Sequence, residues 1–410
     1  MNRPEGNMTA IKALTFLMFA MFAMTTDSVG IIIPEIIRTF HLSLTAAGSF
    51  QYATMGGIAL AGFLLGYLAD RYGRKPTIIA GLIIFGAASF CFFAGHSFGF
   101  FCVLMGLSGV GIGVFKTGAL ALIGDIAKST ADHTSLMNTV EGFFGVGSIV
   151  GPALLAQMLG RGVAWQWLYV IAGCMCVLLI LTAWRVRYPS HKSFAAGNTD
   201  ISGMTTAMKN PYVLGFSMGA ILYVAVEAAI YVWMPTLLAG YRGPGAWIAV
   251  YSISIFFSLR AAGRFLGAWM LNHFRWTSVL TLCSGMILAC FIASVAAGTI
   301  WAVYCLPLSG LFMSVMYPTI NSKGISCLPK SEHGAGAGVI LFFTCVSAVL
   351  APLAMGAVSD AMGGPRYGFL LATGFAALMF IGLLFNWVYN PTARVLQQSD
   401  HADYDAVTAP

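Results

Sequence analysis

Long apolar runs alternate with short polar segments along the whole chain. Each run has about 20 residues or more, the length that an α-helix needs to cross the hydrocarbon core of a bilayer. Because backbone groups in lipid find no water to bond, runs of this length are predicted to be helices. Twelve such runs are present, at residues 11–37, 45–69, 76–95, 98–124, 135–160, 165–184, 212–239, 247–271, 277–297, 299–325, 335–359 and 366–388.

The composition supports this pattern, since 59% of the 410 residues are hydrophobic and only 9% are charged. A soluble domain carries about 25% charged residues. We therefore predict an all-α integral membrane protein, without a soluble domain that could house an enzyme or a signalling module. The seven histidines are scattered, and no nucleotide-binding loop is found. The nine cysteines lie in the spans or at their ends and are expected to pack as apolar side chains, so no metal ion or cofactor is predicted.

The distribution of basic residues predicts the orientation. Fourteen of the 21 lysines and arginines lie in the segments on the side of the two termini, four lie in the opposite loops and three lie within spans. Loops rich in Lys and Arg stay in the cytoplasm, so both termini are predicted to be cytoplasmic, in a multi-pass protein of the cytoplasmic (inner) membrane. The net charge of +7 then reflects topology and contact with anionic lipid, and no nucleic-acid partner is predicted.

The second half of the chain repeats the first at an offset of about 201 residues. Pro34 corresponds to Pro235 and Gly66 to Gly267, with a drift of one residue in places. This repeat predicts two pseudo-symmetric six-helix bundles, a form that secondary transporters use to build a substrate site near the bilayer midplane. The predicted limits are 1–184 for the first bundle, 185–211 for a cytoplasmic linker, 212–390 for the second bundle and 391–410 for a polar cytoplasmic tail.

The segment between the second and third helices reads "GYLADRYGRK". It resembles the signature loop of the major facilitator superfamily, which implies the twelve-helix major facilitator fold and secondary active transport. In that family the loop is a cytoplasmic gate, in which the acid faces basic residues and the charges part as the bundles move. The resemblance assigns this role to Gly66, Asp70, Arg71, Gly73, Arg74 and Lys75.

Three further stretches resemble the fucose-permease, or sugar:proton symporter, branch of that superfamily. They are "LMNTVEGFFGVGSIVGP" in the fifth helix, "LYVAVEAAIYVWMP" in the seventh and "MSVMYPTINS" in the tenth. This resemblance implies proton-coupled uptake of a sugar or sugar-like hydrophilic solute. The chain departs from the branch by carrying Lys116 in place of a fourth-helix carboxylate and Phe144 in place of a fifth-helix polar residue.

Two other cargoes are kept as alternatives. Lys116, Arg260 and Arg264 favour a sugar acid or another small organic anion. The stretch "GSIVGP" resembles the start of a fifth-helix motif of drug:proton antiporters, so a drug or metabolite exporter ranks third. A sensor or an enzyme is disfavoured for lack of a signalling domain or a reactive cluster of side chains.

Charged side chains within the spans are candidates for proton coupling. A charge at mid-bilayer costs about 2.5–3.5 kcal/mol, so each needs a partner or a watery cavity. Lys116 and Glu141 are predicted at similar depth and are expected to pair, either as a functional pair or as a static bridge between helices. Asp27 and Glu227 fall at nearly equivalent places in the two repeats, and no basic residue is expected at their depth. Asp27 is the first candidate to carry the coupling proton, Glu227 the second and Glu141 the third.

Amide, ring and cationic groups complete the predicted substrate site. Aromatic rings stack on the apolar face of a sugar, and amides bond its hydroxyls. A cation binds a hydroxyl or a carboxylate. The candidates are Lys116, Gln51, Tyr223, Asn321 and Arg260, whereas Arg264 is expected mainly to brace the bundle. The expected partners are a small-molecule substrate, protons and membrane lipid, with the protein acting as a monomer.

Overall fold

The computed structural model describes residues 5–65, 68–126, 130–188, 206–328 and 333–397, and their regular structure is helical throughout. The chain divides into two units, Met1–Gly197 and Asn198–Pro410. This is the arrangement expected of a duplicated bundle. The exact limits of the bundles remain predictions, and most of the predicted linker and tail lies outside the described residues.

The first unit contains nine helices among its described residues. They are α1 (Glu5–Thr26), α2 (Val29–Phe40), α3 (Leu44–Ala47), α4 (Ser49–Leu65), α5 (Leu68–Arg71), α6 (Arg74–Cys91), α7 (Phe98–Ile126), α8 (Thr130–Gly160) and α9 (Gln166–Arg185).

The second unit adds nine α-helices and one π-helix among the residues described. They are α10 (Pro211–Ala228), the π-helix (Ala229–Trp233), α11 (Met234–Leu237), α12 (Ala246–Val250), α13 (Ser252–His273), α14 (Trp276–Ala296), α15 (Thr299–Met313), α16 (Met316–Ile325), α17 (His333–Met362) and α18 (Pro365–Tyr389).

Ten helical stretches in the described part of the chain are long and apolar enough to cross a membrane. The two predicted runs outside this set, 45–69 and 247–271, correspond to α4 and α13. Helix α4 is described over only 17 residues, and α13 carries two arginines and a histidine. The prediction of an all-α membrane protein is confirmed.

The sequence predicts one continuous helix for the first span. The structure instead has two helices, separated at Asp27 and Ser28. The hydroxyls of Thr25 and Thr26 both donate to the Phe22 carbonyl, at 2.9 and 3.1 Å, and that of Ser28 donates to Met24 at 2.6 Å. Hydroxyl groups that bond backwards along a helix compete with its backbone ladder and bend it. Asp27 therefore lies at a break in the span.

The corresponding span of the second unit also changes geometry next to a carboxylate. Helix α10 ends at Ala228, one residue after Glu227, and the π-helix follows. Asp27 precedes its proline by seven residues, whereas Glu227 precedes Pro235 by eight. A π-turn holds more residues than an α-turn, so it absorbs the extra residue without breaking the span. This accounts for the one-residue difference between the two spacings from acid to proline.

The glycine-rich stretch around Lys116 lets α7 pack tightly between two neighbours. A Cβ atom on Gly109 would lie 2.2 Å from the Thr54 carbonyl oxygen of α4. One on Gly111 would lie 2.7 Å from the Phe85 nitrogen of α6. Small residues allow helices in a bilayer to approach closely, so α7 is held between α4 and α6 with Lys116 at a fixed place along it.

Helices α1 and α8 meet in the same way. Cβ atoms on Gly147 and Gly151 would lie 2.0 and 2.1 Å from the carbonyl oxygens of Ala20 and Met24. The two glycines are four residues apart and share one face of α8. This contact brings α8 against the end of α1 that leads into the Asp27 break.

Candidate functional site

Asp27 is half-buried, and a neighbouring helix holds its carboxylate. The Ser148 hydroxyl of α8 donates to Asp27 Oδ2, and it also lies 3.0 Å from the Phe144 carbonyl oxygen. Ser148 itself is 1% exposed. One buried hydroxyl thus has two acceptors within reach, one of which can change its charge.

Lys116 is half-buried on α7, and its ammonium lies 5.3 Å from the centre of the Phe144 ring. The expected ion pair with Glu141 is wrong. No carboxylate among the described side chains pairs with Lys116, and Glu141 is exposed. The contact that replaces the ion pair is a cation–π interaction, which attracts the ammonium without neutralising it.

The direction of side chains on a helix explains this difference. Cα–Cβ bonds tilt toward the N-terminus of their helix. Helices α7 and α8 are consecutive and antiparallel, so the Lys116 side chain leans away from the connection between them and the Glu141 side chain leans toward it. The charged ends of the two side chains are therefore separated although their Cα atoms are predicted at similar depth. The Lys116 ammonium instead contacts Phe144, about one turn after Glu141 in α8.

These contacts form a row of groups in the first unit, which we call the Asp27–Lys116 row. It consists of Asp27, Ser148, Phe144 and Lys116, in that order. Ser148 and Phe144 are four residues apart, a rise of about 6 Å along α8. The row places a carboxylate and an ammonium at the two ends of one helical turn.

In the second unit Glu227 forms an ion pair with Arg260 of α13. The side chains are 12% and 20% exposed. The expectation that no basic residue reaches Glu227 is therefore wrong. Here the tilt of side chains acts in the opposite sense, because Arg260 and Glu227 lie on antiparallel helices and lean toward each other.

Tyr223 lies one turn before Glu227 and is buried. Its hydroxyl donates to the Met313 carbonyl at 3.2 Å, and its ring lies 6.0 Å from that of Tyr317. The hydroxyl is also within electrostatic range of Glu227 and Arg260. The structure thus brings three of the sequence-predicted residues into one cluster of the second unit.

The two predicted amide residues lie in different surroundings. Gln51, on α4, is 1% exposed, and neither its amide nitrogen nor its carbonyl oxygen has a hydrogen-bond partner among the described residues. Asn321 is half-buried on α16. A buried amide without partners is costly, so Gln51 has hydrogen-bonding capacity that the described residues do not use.

The loop with the superfamily signature is described in part. Gly66 and the side chain of Asp70 lie outside the described residues. Arg71 is exposed and lies over the Tyr72 ring at 5.5 Å. Gly73 adopts a φ of +94°, which favours glycine at this turn.

Two basic residues of the loop connect α6 to other helices. Arg74 forms a 2.8 Å ion pair with Asp125, at the end of α7. The Lys75 ammonium donates to the carbonyls of Trp184 and Val186, both at 2.9 Å. A cation at the C-terminus of α9 also interacts favourably with the helix dipole.

Beyond the end of α9, the Lys75 ammonium lies 5.5 Å from the centre of the Tyr188 ring. Burial raises the pKa of Tyr188 to about 12, so the ring stays neutral at physiological pH. The loop therefore binds the ends of α7 and α9 through contacts of different kinds.

Sequence reasoning missed two partners and misjudged a third residue. Asp125 stands in the apolar context "LIGDIA", and Ser148 lies within the glycine-rich stretch "GVGSIVGP". Phe144 is an apolar residue at a position where the family pattern has a polar one, so its sequence context does not predict a contact with a cation. Charge at a helix end was a usable signal for Asp125, but nothing local marked Ser148 as the partner of Asp27.

In the described part of the chain, no group of three or more His, Cys, Asp or Glu side chains could hold a metal ion.

A family model and a curated relative each match most of the chain. The family model of the Major Facilitator Superfamily matches residues 15–352. Protein TsgA of Salmonella paratyphi C (strain RKS4594) is 24% identical over 395 residues, covering 92% of this chain and 94% of that protein.

Two solved transporters show the same fold. The nucleoside transporter NupG superposes with a TM-score of 0.75 at 13% identity, covering 92% of this chain and 98% of its own. The E. coli fucose:proton symporter FucP superposes with a TM-score of 0.62 at 21% identity, covering 91% of this chain and 98% of its own. The predicted fold of two six-helix bundles is confirmed.

Proposed function

Because the chain belongs to the major facilitator superfamily, a family of membrane transporters, we propose that it takes up a sugar or sugar-like hydrophilic solute across the cytoplasmic membrane. Uptake is driven by protons, and Asp27 carries the coupling proton. Both termini face the cytoplasm.

The observation that carries this proposal is the position of the Ser148 hydroxyl between two acceptors. A hydroxyl has one proton to donate and can also accept. When Asp27 is ionised, Ser148 donates to it. When Asp27 is protonated, its own proton goes to Ser148, which then donates to the Phe144 carbonyl. Both protonation states of Asp27 are therefore hydrogen-bonded, as a carboxylate that repeatedly binds and releases a proton requires.

The break between α1 and α2 supports the same role. A proton can drive transport only if its binding changes the relative stability of two conformations. A carboxylate at a helix break is joined to a segment whose two parts can move separately, whereas a carboxylate in mid-helix is not. Protonation of Asp27 changes the charge at this junction and at its contact with α8.

The other two carboxylates have secondary roles in the proposal. Glu227 is the second candidate for the proton, and its ion pair with Arg260 is broken when it is protonated. Glu141 is exposed and is the third candidate. The loop of Gly66, Asp70, Arg71, Gly73, Arg74 and Lys75 acts as the gate.

Substrate binding is assigned to Gln51, Tyr223, Asn321, Arg260 and Lys116. The free hydrogen-bonding capacity of the Gln51 amide supports a hydroxylated solute, since an amide can bond a hydroxyl as donor and acceptor. The names of the structural neighbours, a nucleoside transporter and a fucose:proton symporter, also favour a polar, hydroxylated cargo.

Asp27→Asn is expected to abolish proton-driven accumulation while leaving solute exchange intact. Asparagine keeps the shape of the side chain and an acceptor for Ser148, but it cannot bind the coupling proton. The measurement uses purified protein in liposomes, with accumulation under an inward proton gradient compared with counterflow at equal pH on both sides. The solutes are labelled glucose, galactose, fucose, gluconate and galactonate.

Glu35→Gln is the matched control, because Glu35 is a carboxylate on the adjoining helix that pairs with the 78%-exposed Arg38. This variant should accumulate solute as the unmodified protein does. Accumulation that survives in Asp27→Asn would reject Asp27 as the coupling residue. Absence of any gradient-driven uptake by the unmodified protein would reject proton-coupled import itself.

A further inference from the structure

The Lys116 side chain places an ammonium group in the membrane-spanning helix α7. Its contact is the face of Phe144, and no carboxylate among the described side chains pairs with it. An intramembrane charge requires a counter-charge or water. An aromatic ring holds a cation in place but supplies no negative charge. The group is thus positioned to bind an anion from outside the protein chain.

We infer that the carried solute is an organic anion, a sugar acid or a related hydroxylated carboxylate, and that Lys116 binds its carboxylate. This inference rests on the proposed function, because it takes Asp27 as the group that binds the coupling proton. It narrows the substrate class from sugar-like solutes in general to those with one acidic group.

The charge count of the Asp27–Lys116 row supports this inference. With Asp27 ionised and no solute bound, the charges of the carboxylate and the ammonium sum to zero. Protonation of Asp27 leaves the row with one positive charge, and binding of a monovalent anion returns it to zero. Net charge is expensive in a medium of low dielectric constant, so the empty and the loaded states are both favoured over the two charged intermediates.

Protonation and anion binding therefore reinforce each other. If the proton on Asp27 strengthens anion binding, the anion strengthens proton binding by the same factor. The solute carboxylate gives Lys116 the direct counter-charge that Asp27, at the other end of the row, does not supply. One proton then moves with one monovalent anion, and the cycle carries no net charge across the membrane.

The other ionisable groups near Asp27 leave this charge count unchanged. The helices packed against α1 and α2 bring Tyr52 from α4, Lys116 from α7, Glu141 from α8, and Tyr169 and Cys176 from α9. Tyrosine side chains are ordinarily uncharged at neutral pH. Tyr169 and Cys176 are buried neutral groups that contact the sulfur atoms of Met105 and Met21. Glu141 is exposed, and no ion pair or hydrogen bond among the described residues joins it to the row.

The first test compares acids with their parent sugars by counterflow at equal pH on both sides, where no proton gradient is involved. Liposomes are preloaded with gluconate, galactonate, glucose or galactose, and entry of the labelled compound is followed. We expect the acids to exchange at least about tenfold faster than the parent sugars, since a charge-assisted bond is lost with the neutral compounds. Equal exchange of the neutral sugars would overturn the inference.

The second test uses Lys116→Gln, with Lys209→Gln as the control because Lys209 is exposed and lies outside the spans. Acid exchange should fall at least about tenfold in Lys116→Gln and stay unchanged in Lys209→Gln. Lys116→Arg restores the charge and should recover part of the activity. Unchanged acid exchange in a monodisperse Lys116→Gln would reject Lys116 as the anion ligand.

The third test separates this inference from the proposed function. A potassium gradient with valinomycin sets the membrane potential, and proton-driven gluconate uptake should not respond to it. If uptake is faster when the interior is negative, net positive charge enters with the solute, and a ratio of one proton to one monovalent anion is rejected. If acids exchange but a proton gradient does not drive them, the proposed function fails and the anion site stands. If the gradient drives only neutral sugars, proton coupling stands and the anion site fails.

Discussion

Glu227→Gln is expected to lower the stability of the purified protein by about 3 kcal/mol, because it leaves the charge of Arg260 without its carboxylate in a part of the chain where both side chains are largely buried. Removing one partner of such a pair costs more than the pair contributes, since the remaining charge is poorly solvated. Arg260→Gln should be destabilising for the same reason, with Glu227 left behind.

A double-mutant cycle distinguishes this ion pair from two independent residues. Glu227→Gln, Arg260→Gln and the double variant are compared by thermal unfolding in detergent. We expect the double variant to lose clearly less stability than the sum of the two single variants. If the stability losses of the two single variants add up to that of the double variant, the two side chains do not stabilise each other and the ion pair is contradicted.

The chain provides a surface pair as a reference. Arg38 and Glu35 are joined at 2.7 Å, but the Arg38 side chain is 78% exposed. Exposed pairs contribute about 0–1 kcal/mol, so Glu35→Gln should shift the unfolding temperature little. The contrast between Glu227→Gln and Glu35→Gln then measures what burial adds to the same chemical change.

The second large effect is expected from Gly151→Leu. A Cβ atom at this position would lie 2.1 Å from the Met24 carbonyl oxygen, which belongs to backbone and cannot rotate away. Overpacking of this kind usually costs about 1–3 kcal/mol, and here it also separates α1 from α8. The Ser148 contact to Asp27 depends on that packing, so proton-driven transport should be lost together with stability.

Gly145→Leu is the matched control on the same helix, because a Cβ atom there would meet no atom within 4 Å. Both variants are compared by the yield of monodisperse protein and by counterflow. Gly145→Leu should resemble the unmodified protein. If Gly151→Leu behaves as Gly145→Leu does, the close approach of α1 and α8 is not required.

The helices and the duplication could be predicted from the sequence because they depend on composition and periodicity. Runs of apolar residues must be helical in lipid, whatever their neighbours are. The offset between the halves also predicted that Asp27 and Glu227 lie at nearly equivalent places, to within one residue. Both residues lie next to an irregularity in their span, although no pattern of residues predicts the break at Asp27 and Ser28.

Side-chain partners were harder to predict. Counting residues places Cα atoms at a depth, but the ends of long side chains lie elsewhere because they lean toward the N-terminus of their helix. For Lys116 and Glu141 this lean separates the charges, and for Arg260 and Glu227 it joins them. Ser148 could not be found as the partner of Asp27, since their contact depends on the glycine packing of α1 against α8.

The π-helix has a consequence for how the two halves of such chains are aligned. A comparison at a fixed offset of 201 residues pairs Asp27 with Ala228 and places Glu227 opposite Thr26. A one-residue gap within Ala229–Trp233 brings the two acids into one column and keeps the prolines matched. A search for duplicated sites that allows no gap would therefore align neither carboxylate with the other. The two nevertheless occupy equivalent places, because the π-helix accommodates the inserted residue within a single turn.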